Sequence, residues 1–206
     1  MKIAIINETS SADKNKDILK GLEGSRHEVV NCGMKEKGGN PELQYIHTGL
    51  MAGLLLYTKR VDFVVGGCGT GQGFLNSAMQ FPGVFCGHIV SPLDAWLFTQ
   101  INGGNCISLA LNEGYGWAGD VNLRFIFERL FSVESGCGYP LERKIPQGRS
   151  RDMLSGISQL VHKTFSEIIS VLPPAVIQSV LDYPGFSEIL EIPSLDDQKL
   201  KKVLTR

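Results

Sequence analysis

The chain has 206 residues, of which 43% are apolar and 20% are charged, and its formal net charge is −1. This composition is typical of a globular protein and excludes a basic surface of the kind that binds nucleic acid or anionic membranes. No apolar run approaches the roughly 20 residues that span a bilayer, and the five scattered cysteines favour a reducing cytoplasm over a disulfide framework or a zinc site.

Strand and helix patterns alternate through the first two thirds of the chain. Apolar runs predict strands, and apolar residues at helical spacing predict the helices between them. Starting with a strand and alternating, the predicted elements cover residues 2–7, 12–22, 27–31, 43–59, 62–66, 73–80, 84–90, 92–100, 106–111 and 121–131. This order predicts a mostly parallel sheet with helices on both faces, in which ligands bind beyond the carboxyl ends of the strands.

The remainder of the chain has helical patterns only. One long helix is predicted over 150–172, where Pro173-Pro174 ends it, and shorter helices are predicted over 175–181 and 194–204, the last with a variant capping box at its start. We therefore divide the chain into an α/β domain, 1–146, and a helical C-terminal extension, 147–206. The extension is expected to pack on the core or on a partner subunit.

A glycine-rich segment follows the predicted central strand. Residues 66–73 read Gly-Gly-Cys-Gly-Thr-Gly-Gln-Gly. Glycines at this density let the backbone approach a ligand closely and turn several N–H groups toward one point, next to a helix N-terminus. The segment lacks the Gly-Lys-Ser/Thr of a P-loop and the glycine spacing of dinucleotide-binding folds. It predicts a site for a phosphate or a developing oxyanion.

Cys68 lies within this segment. Electropositive surroundings of this kind favour a thiolate, which can act as a base or a nucleophile. The alternative is a small buried residue in a tight turn. Thr70 is a candidate donor to a substrate oxygen, although it is equally suited to cap the following helix.

These motifs resemble the ribose-5-phosphate isomerase B / galactose-6-phosphate isomerase family. The resemblance rests on Cys-Gly-Thr-Gly-x-Gly after a strand, in a chain that opens Met-Lys-Ile-Ala-Ile, and it extends over about residues 1–145. Phe81-Pro-Gly-Val, Pro92-Leu-Asp-Ala and Asn102-Gly-Gly-Asn match further stretches of the family. The glycine loop is the specific part of the likeness.

The resemblance implies a three-layer Rossmann-like sandwich with a five-stranded parallel sheet. It implies an aldose–ketose isomerase that acts on a pentose or hexose, expected to be a sugar phosphate, through a cis-enediolate. Cys68 would be the base, and the loop with Thr70 would stabilise the enediolate oxygen. No metal or organic cofactor is implied. The sites of the family lie between subunits, so a homodimer or homotetramer is expected.

The resemblance also assigns substrate-binding positions. Glu8 stands where the family has an aspartate, and Tyr45 where it has a substrate-side tyrosine, although an aromatic residue at a helix start is also an ordinary packing residue. The implied substrate-binding residues are Glu8, Tyr45, Gly69, Gly71, Gly73, Asn102 and Arg143.

Several positions depart from the family pattern. Ile101 stands where the family has its ring-opening histidine, so either another group, such as His88 or His47, opens the ring, or the substrate needs no opening. Tyr139 replaces the first of two phosphate-binding arginines and leaves Arg143. These departures motivate an alternative, a non-catalytic sugar-phosphate-binding protein of the same fold. A hydrolase with a cysteine nucleophile is a third hypothesis.

Overall fold

The computed structural model describes residues 1–205 as an α/β fold around one five-stranded sheet. The strands lie in the order β2-β1-β3-β5-β4, and every neighbouring pair is parallel. Their bounds are Lys2–Asn7 for β1, Glu28–Asn31 for β2, Phe63–Cys68 for β3, Cys86–Ile89 for β4 and Cys106–Ala110 for β5. The expectation of a five-stranded parallel sheet is confirmed.

Helices cover both faces of this sheet. Helices α1, α4 and α5 pack on one face, and α2 and α3 pack on the other. The helix bounds are Asn15–Leu22 for α1, Tyr45–Tyr57 for α2, Gln72–Ala78 for α3, Pro92–Leu97 for α4, Gly119–Leu130 for α5, Lys144–Val161 for α6, Phe165–Val171 for α7, Pro174–Leu181 for α8, Phe186–Leu190 for α9 and Gln198–Leu204 for α10.

The first strand shows why the sequence adopts three layers. Ile3 and Ile5 belong to the apolar cluster on the side of α1 and α5, whereas Ala4 and Ile6 belong to the cluster on the side of α2 and α3. Successive side chains of a strand point to opposite faces. Since helices cover both faces of the sheet, the consecutive residues Ile3 to Ile6 are all apolar and buried, rather than only every second one.

Two predicted helices differ from the observed ones. Within 12–22, the first turns form a 3-10 helix, Thr9–Lys14, and α1 starts only after it. The Glu8 carboxylate accepts a hydrogen bond from the Ser10 N–H and caps this short helix. Helix α4 ends early and continues as one wider, π-helical turn, Phe98–Asn102.

The single helix predicted over 150–172 is wrong. The chain forms two helices there, because α6 ends at Val161 and α7 starts at Phe165. The Thr164 hydroxyl accepts a hydrogen bond from the Glu167 N–H, and the Glu167 carboxylate accepts one from the Thr164 N–H. This capping box starts a new helix inside a continuous apolar pattern.

The end of the chain also differs from the predicted pattern. The cap of α10 is Asp197, whose carboxylate accepts a hydrogen bond from the Leu200 N–H, whereas Ser194 ends a separate 3-10 turn. The short helix α9 has no counterpart among the predicted elements. The last residue of the predicted extension, Arg206, lies outside the described residues.

The extension contacts the rest of the chain in two different ways. Helices α7 to α10 pack on the α2 side of the sheet and continue its apolar cluster. Their fully buried side chains include Phe165, Phe186, Leu190 and Leu200. Helix α6 instead keeps its apolar side chains exposed, namely Ile145, Met153, Leu154, Ile157, Leu160 and Val161. Within residues 1–205, no helix is long and apolar enough to cross a membrane.

The anchoring of the extension can be tested at Phe165. Its ring stacks on Phe81 at 5.4 Å between centroids and contacts Tyr57 at 4.9 Å. Because Phe165→Ala leaves a cavity in this buried cluster, we expect it to lower the free energy of unfolding by about 3–5 kcal/mol in urea denaturation. Val171→Ala, at an exposed position of the same helix, is the control and should change it by about 0.5 kcal/mol or less. A similar small loss for both would show that the extension does not stabilise the core.

Helix α3 starts directly after a glycine with a left-handed backbone. Gly71 has φ +74°, and a Cβ built there would lie 2.6 Å from His88 Nε2. The same conformation occurs at Gly114, φ +73°, where a Cβ would meet nothing within 4 Å. Alanine substitutions at Gly71 and Gly114 therefore separate the cost of a left-handed backbone from the cost of a steric clash.

We expect both alanine variants to be destabilised by about 1–2 kcal/mol from the left-handed backbone alone. Gly71→Ala should lose a further 1–3 kcal/mol, on the order of an overpacked position, because His88 must move. Chemical denaturation of Gly71→Ala and Gly114→Ala side by side measures the difference. Equal losses in the free energy of unfolding would mean that the His88 ring moves aside without an energetic cost.

Candidate active site

The carboxyl ends of the central strands meet at one edge of the sheet. In the strand register, Asn7 is paired with Gly67 and Cys68 with Ala110. The ladder continues one residue beyond β1, where the Glu8 N–H donates to the Gly67 carbonyl at 3.4 Å. The loops that follow β1, β3 and β5 are therefore held beside one another.

Cys68 is the last residue of β3 and lies at this edge, with a side chain 6% exposed. Other cysteines are placed differently. Burial raises the pKa of the Cys32 thiol to about 12, and burial together with the neighbouring Cys86 raises the pKa of Cys106 well above its usual range. Both of those thiols stay protonated at neutral pH. Cys68 borders the apolar cluster on the α2 and α3 side of the sheet and is followed directly by the glycine loop.

The glycine loop after Cys68 has its backbone fixed by its neighbours. The Gly69 carbonyl accepts a hydrogen bond from the Asn112 N–H at 2.9 Å, and the Gly69 N–H donates to Ser10 Oγ at 2.9 Å. Among residues 1–205, the N–H groups of Thr70 and Gly71 donate to no other group. These two donors, rather than that of Gly69, are available to a ligand.

Glu8 and Ser10 form a hydrogen-bonded pair beside this loop. Glu8 is 5% exposed, and its Oε1 accepts hydrogen bonds from the Ser10 N–H at 3.1 Å and from the Ser10 hydroxyl. The Ser10 carbonyl in turn accepts a hydrogen bond from Asn112 Nδ2 at 3.1 Å. Within the described residues, Glu8 Oε2 has no hydrogen-bond partner, which leaves it for a ligand hydroxyl.

Thr70 and Tyr45 flank the start of α3. Thr70 Oγ1 accepts a hydrogen bond from the Gln72 N–H at 3.3 Å, so the residue contributes to the helix cap, while its own hydroxyl proton remains available. The ring of Tyr45 covers Gly73, where a Cβ would lie 2.9 Å from the ring. Tyr45 is 47% exposed, so it packs on the loop and also faces outward.

The two histidines considered for ring opening have different positions. His47 Nδ1 accepts a hydrogen bond from the Gln44 N–H as part of the α2 cap, and desolvation lowers the pKa of His47. His88 is half-buried on β4, and its Nε2 lies 3.1 Å from the Thr70 carbonyl oxygen. Of the two, His88 is the one next to the glycine loop.

Asn102 and Arg143 form a second group. Both line a cavity of about 770 Å³ that is also bordered by Cys86. Cys86 is paired with Cys106, whereas Cys68 is paired with Ala110, four residues farther along β5. At about 3.3 Å per residue, the two levels are about 13 Å apart along the strands. None of residues 68–73 lines that cavity. Asn102 also borders a smaller cavity together with His88.

A polar network holds the second group in place. The Arg151 guanidinium donates to the Ile101 carbonyl at 2.8 Å and to the Gly136 carbonyl at 3.0 Å. The Gln100 carbonyl accepts a hydrogen bond from the Gly138 N–H at 2.8 Å. Arg151 therefore joins α6 to the turn that carries Asn102, and its guanidinium is engaged with backbone oxygens.

Sequence reasoning missed three residues of this arrangement, namely Ser10, Asn112 and Arg151. Ser10 lies three residues after the end of β1 and Asn112 two residues after the end of β5, so closeness to a strand end was the available signal. Arg151 gave no such signal, because its partners lie 50 and 15 residues away along the chain. Among residues 1–205, no group of three or more His, Cys, Asp or Glu side chains could hold a metal ion.

Known proteins resemble the chain over its full length. A structure of 4-deoxy-L-threo-5-hexosulose-uronate ketol-isomerase, complexed with a tartrate, is 38% identical with a TM-score of 0.93 and covers 100% of both chains. A ribose-5-phosphate isomerase from Vibrio parahaemolyticus is 40% identical with a TM-score of 0.93, covering 100% of this chain and 98% of that one.

More distant structures share the fold. Ribose-5-phosphate isomerase B from Clostridium thermocellum is 20% identical with a TM-score of 0.63, covering 77% of this chain and 98% of that chain. A search of curated protein sequences gives no match.

The family model described as Ribose/Galactose Isomerase matches residues 3–122, which include the whole glycine loop and all of the sheet except Lys2. With two full-length structural relatives that are both sugar isomerases, this match places the chain in the ribose/galactose isomerase family, and the protein is a sugar isomerase.

Proposed function

We propose that this sugar isomerase interconverts an aldose and a ketose, with the Cys68 thiolate as the base that moves a proton between C1 and C2. The observation that carries the proposal is the position of Cys68 at the carboxyl edge of the sheet, two and three residues before the N–H groups of Thr70 and Gly71, which have no hydrogen-bond partner among residues 1–205. A reducing compartment such as the cytoplasm suits a catalytic thiolate.

The proposed reaction starts from an open-chain aldose. Cys68 removes the proton from C2, and the carbonyl oxygen on C1 becomes an oxyanion as a cis-enediolate forms. The N–H groups of Thr70 and Gly71 are placed to stabilise this charge, which is the effect of preorganised donors in an oxyanion hole. Glu8 Oε2 and Tyr45 would bind substrate hydroxyls. Cys68 then returns a proton to C1 to give the ketose.

The second group of residues supports a site shared between subunits. Asn102 and Arg143 line a cavity to which residues 68–73 of their own chain do not contribute, and α6 beside them exposes a row of apolar side chains. A homodimer or homotetramer would let Asn102 and Arg143 of a second copy complete the site, as the family resemblance implies. The exposed face of α6 would then be buried in the contact.

Cys68→Ser tests the base. We expect the variant to lose 10²-fold to 10⁴-fold in turnover, since a hydroxyl is a far weaker base than a thiolate. The measurement is aldose-to-ketose conversion on a panel of sugar phosphates, sugar acids and neutral sugars, with deuterium exchange at C2 in heavy water. Cys137→Ser is the control, because a hydroxyl can keep the hydrogen bond of that thiol to Gln100.

Each alternative has its own result in this experiment. Sugar binding without exchange at C2 in the wild type would identify a non-catalytic binding protein. A covalent adduct trapped on Cys68 would identify a nucleophile and a hydrolase. Full turnover in Cys68→Ser would contradict the cysteine base.

The cations near Arg143 bear on whether the substrate carries a phosphate or a carboxylate. At one of the two positions where the family has a phosphate-binding arginine, this chain has Tyr139, whose ring packs against Trp96 with 5.0 Å between centroids. The Arg151 guanidinium donates to the carbonyl oxygens of Ile101 and Gly136. Arg143 therefore remains as the cation of its cavity. A single guanidinium can bind a phosphate, but its planar pair of donors also matches a carboxylate.

A sugar acid is the second candidate substrate. One full-length relative is named for a 4-deoxy-5-hexosulose uronate. Such a molecule has no hydroxyl at C4 or C5 that could close a ring on C1, so it needs no ring-opening group. This agrees with the apolar Ile101 at the expected histidine position and with the single Arg143. The first candidate, a sugar phosphate, is the substrate named for the other full-length relative.

Arg143→Gln tests the anion site. We expect KM for the anionic substrate to rise 10-fold to 100-fold with a smaller change in kcat, which corresponds to the loss of a charge-assisted hydrogen bond of about 1.5–3 kcal/mol. Arg149→Gln, at an exposed position of α6 that does not line the cavity, should leave KM unchanged. Kinetics with ribose 5-phosphate and with the hexosulose uronate identify the preferred anion. An unchanged KM in Arg143→Gln would remove this residue from the site.

A further inference from the structure

Aldose–ketose isomerisation moves two protons. One passes from C2 to C1, and in the proposed function Cys68 carries it. The other must leave the hydroxyl oxygen on C2 and reach the oxygen on C1, because the carbonyl and the hydroxyl exchange places. Cys68 can transfer the proton between the two carbon atoms, but a separate group is needed to transfer the proton between the two oxygens.

Ser10 is placed for that second transfer. Its hydroxyl donates to Glu8 Oε1 and accepts the Gly69 N–H at 2.9 Å, so it lies beside the residue that directly follows Cys68. Ser10 itself is exposed, whereas the Glu8 carboxylate behind it is almost fully buried. An accessible hydroxyl that is hydrogen-bonded to a buried carboxylate can pass a proton in either direction.

The Ser10 backbone is also fixed. Its N–H donates to Glu8 Oε1 at 3.1 Å, and its carbonyl accepts from Asn112 Nδ2 at 3.1 Å. The loops after β1, β3 and β5 thus converge on this one residue. Such support holds a catalytic group in position, which matters because small displacements reduce rates strongly.

The other hydroxyl and imidazole groups considered for the site are less suited to this role. The Thr70 hydroxyl accepts the Gln72 N–H and has no carboxylate partner within the described residues. His88 Nε2 is engaged with the Thr70 carbonyl oxygen. His47 caps α2. Ser10 with Glu8 is the hydroxyl–carboxylate pair at the Cys68 loop.

We propose that Ser10 is a catalytic residue that, with Glu8, relays the proton between the C2 and C1 oxygens of the substrate. The hydroxyl on C2 gives its proton to Ser10 Oγ while the Ser10 hydroxyl proton passes to Glu8. In the return step, Ser10 gives a proton to the oxygen on C1 and recovers one from Glu8. Both residues end as they began, and no oxidant or cofactor is needed. This inference rests on the proposed isomerase function.

The test is Ser10→Ala in the full chain, in heavy water, with the sugar that the wild type converts. We expect conversion to fall 10²-fold to 10³-fold, a typical loss for a general acid–base group. Deuterium exchange at C2 should fall much less, because Cys68 still forms the enediolate and returns a proton to C2. The ratio of exchange to conversion should therefore rise at least tenfold.

Three further variants separate catalysis from support of the loop. Ser10→Thr keeps a hydroxyl and should recover most of the conversion. Glu8→Gln keeps an acceptor for Ser10 but cannot take its proton, so it should raise the ratio as Ser10→Ala does. Thr9→Val is the matched control, since this neighbouring hydroxyl is hydrogen-bonded to Glu42 instead and its loss should leave the ratio unchanged.

The outcomes distinguish the relay from the isomerase proposal. If exchange and conversion fall together in Ser10→Ala, or neither falls, Ser10 is not a relay, although Cys68 can still be the base. If Cys68→Ser retains both exchange and conversion, the cysteine base is wrong whatever Ser10 does. A raised ratio in Ser10→Ala and Glu8→Gln, with both activities lost in Cys68→Ser, supports both proposals.

Discussion

The parallel register of β1, β3 and β5 is the constraint on which the candidate site depends. It sets Asn7 level with Gly67 and Cys68 level with Ala110, so three loops leave the sheet at one edge. Main-chain hydrogen bonds extend the register beyond the strands, as the Leu111 N–H donates to the Cys68 carbonyl at 3.0 Å. A one-residue shift of β3 would turn the Cys68 side chain to the opposite face of the sheet.

Close packing beneath the glycine loop ties this edge to the core. A Cβ at Gly66 would lie 2.0 Å from the ring of Phe74, a fully buried residue of α3. Helix α3 can therefore start directly after the loop and hold the Thr70 and Gly71 N–H groups at the sheet edge. The same glycines that expose the backbone to a ligand also let the helix approach the strand, so loop geometry and core stability are coupled.

The chain carries two separate polar groups, and different forces hold them. The Cys68 loop is held by strand pairing and by the Glu8, Ser10 and Asn112 hydrogen bonds. The Asn102 turn is held by Arg151 from α6. The extension thus has two parts, because α7 to α10 pack on the core whereas α6 keeps a row of apolar side chains exposed.

Sequence alone determined the layered fold and the position of the glycine loop, because apolar periodicity and glycine clusters are local signals. It also predicted Cys68 and Glu8 as site residues, and the structure places both at one edge of the sheet. It missed the break at Thr164, where a capping box interrupts an apolar pattern that is helical on both sides. Only the tertiary structure brought Ser10 to Gly69 and placed Arg143 in one cavity with Cys86, because those relations depend on strand register and on contacts between residues that are far apart along the chain.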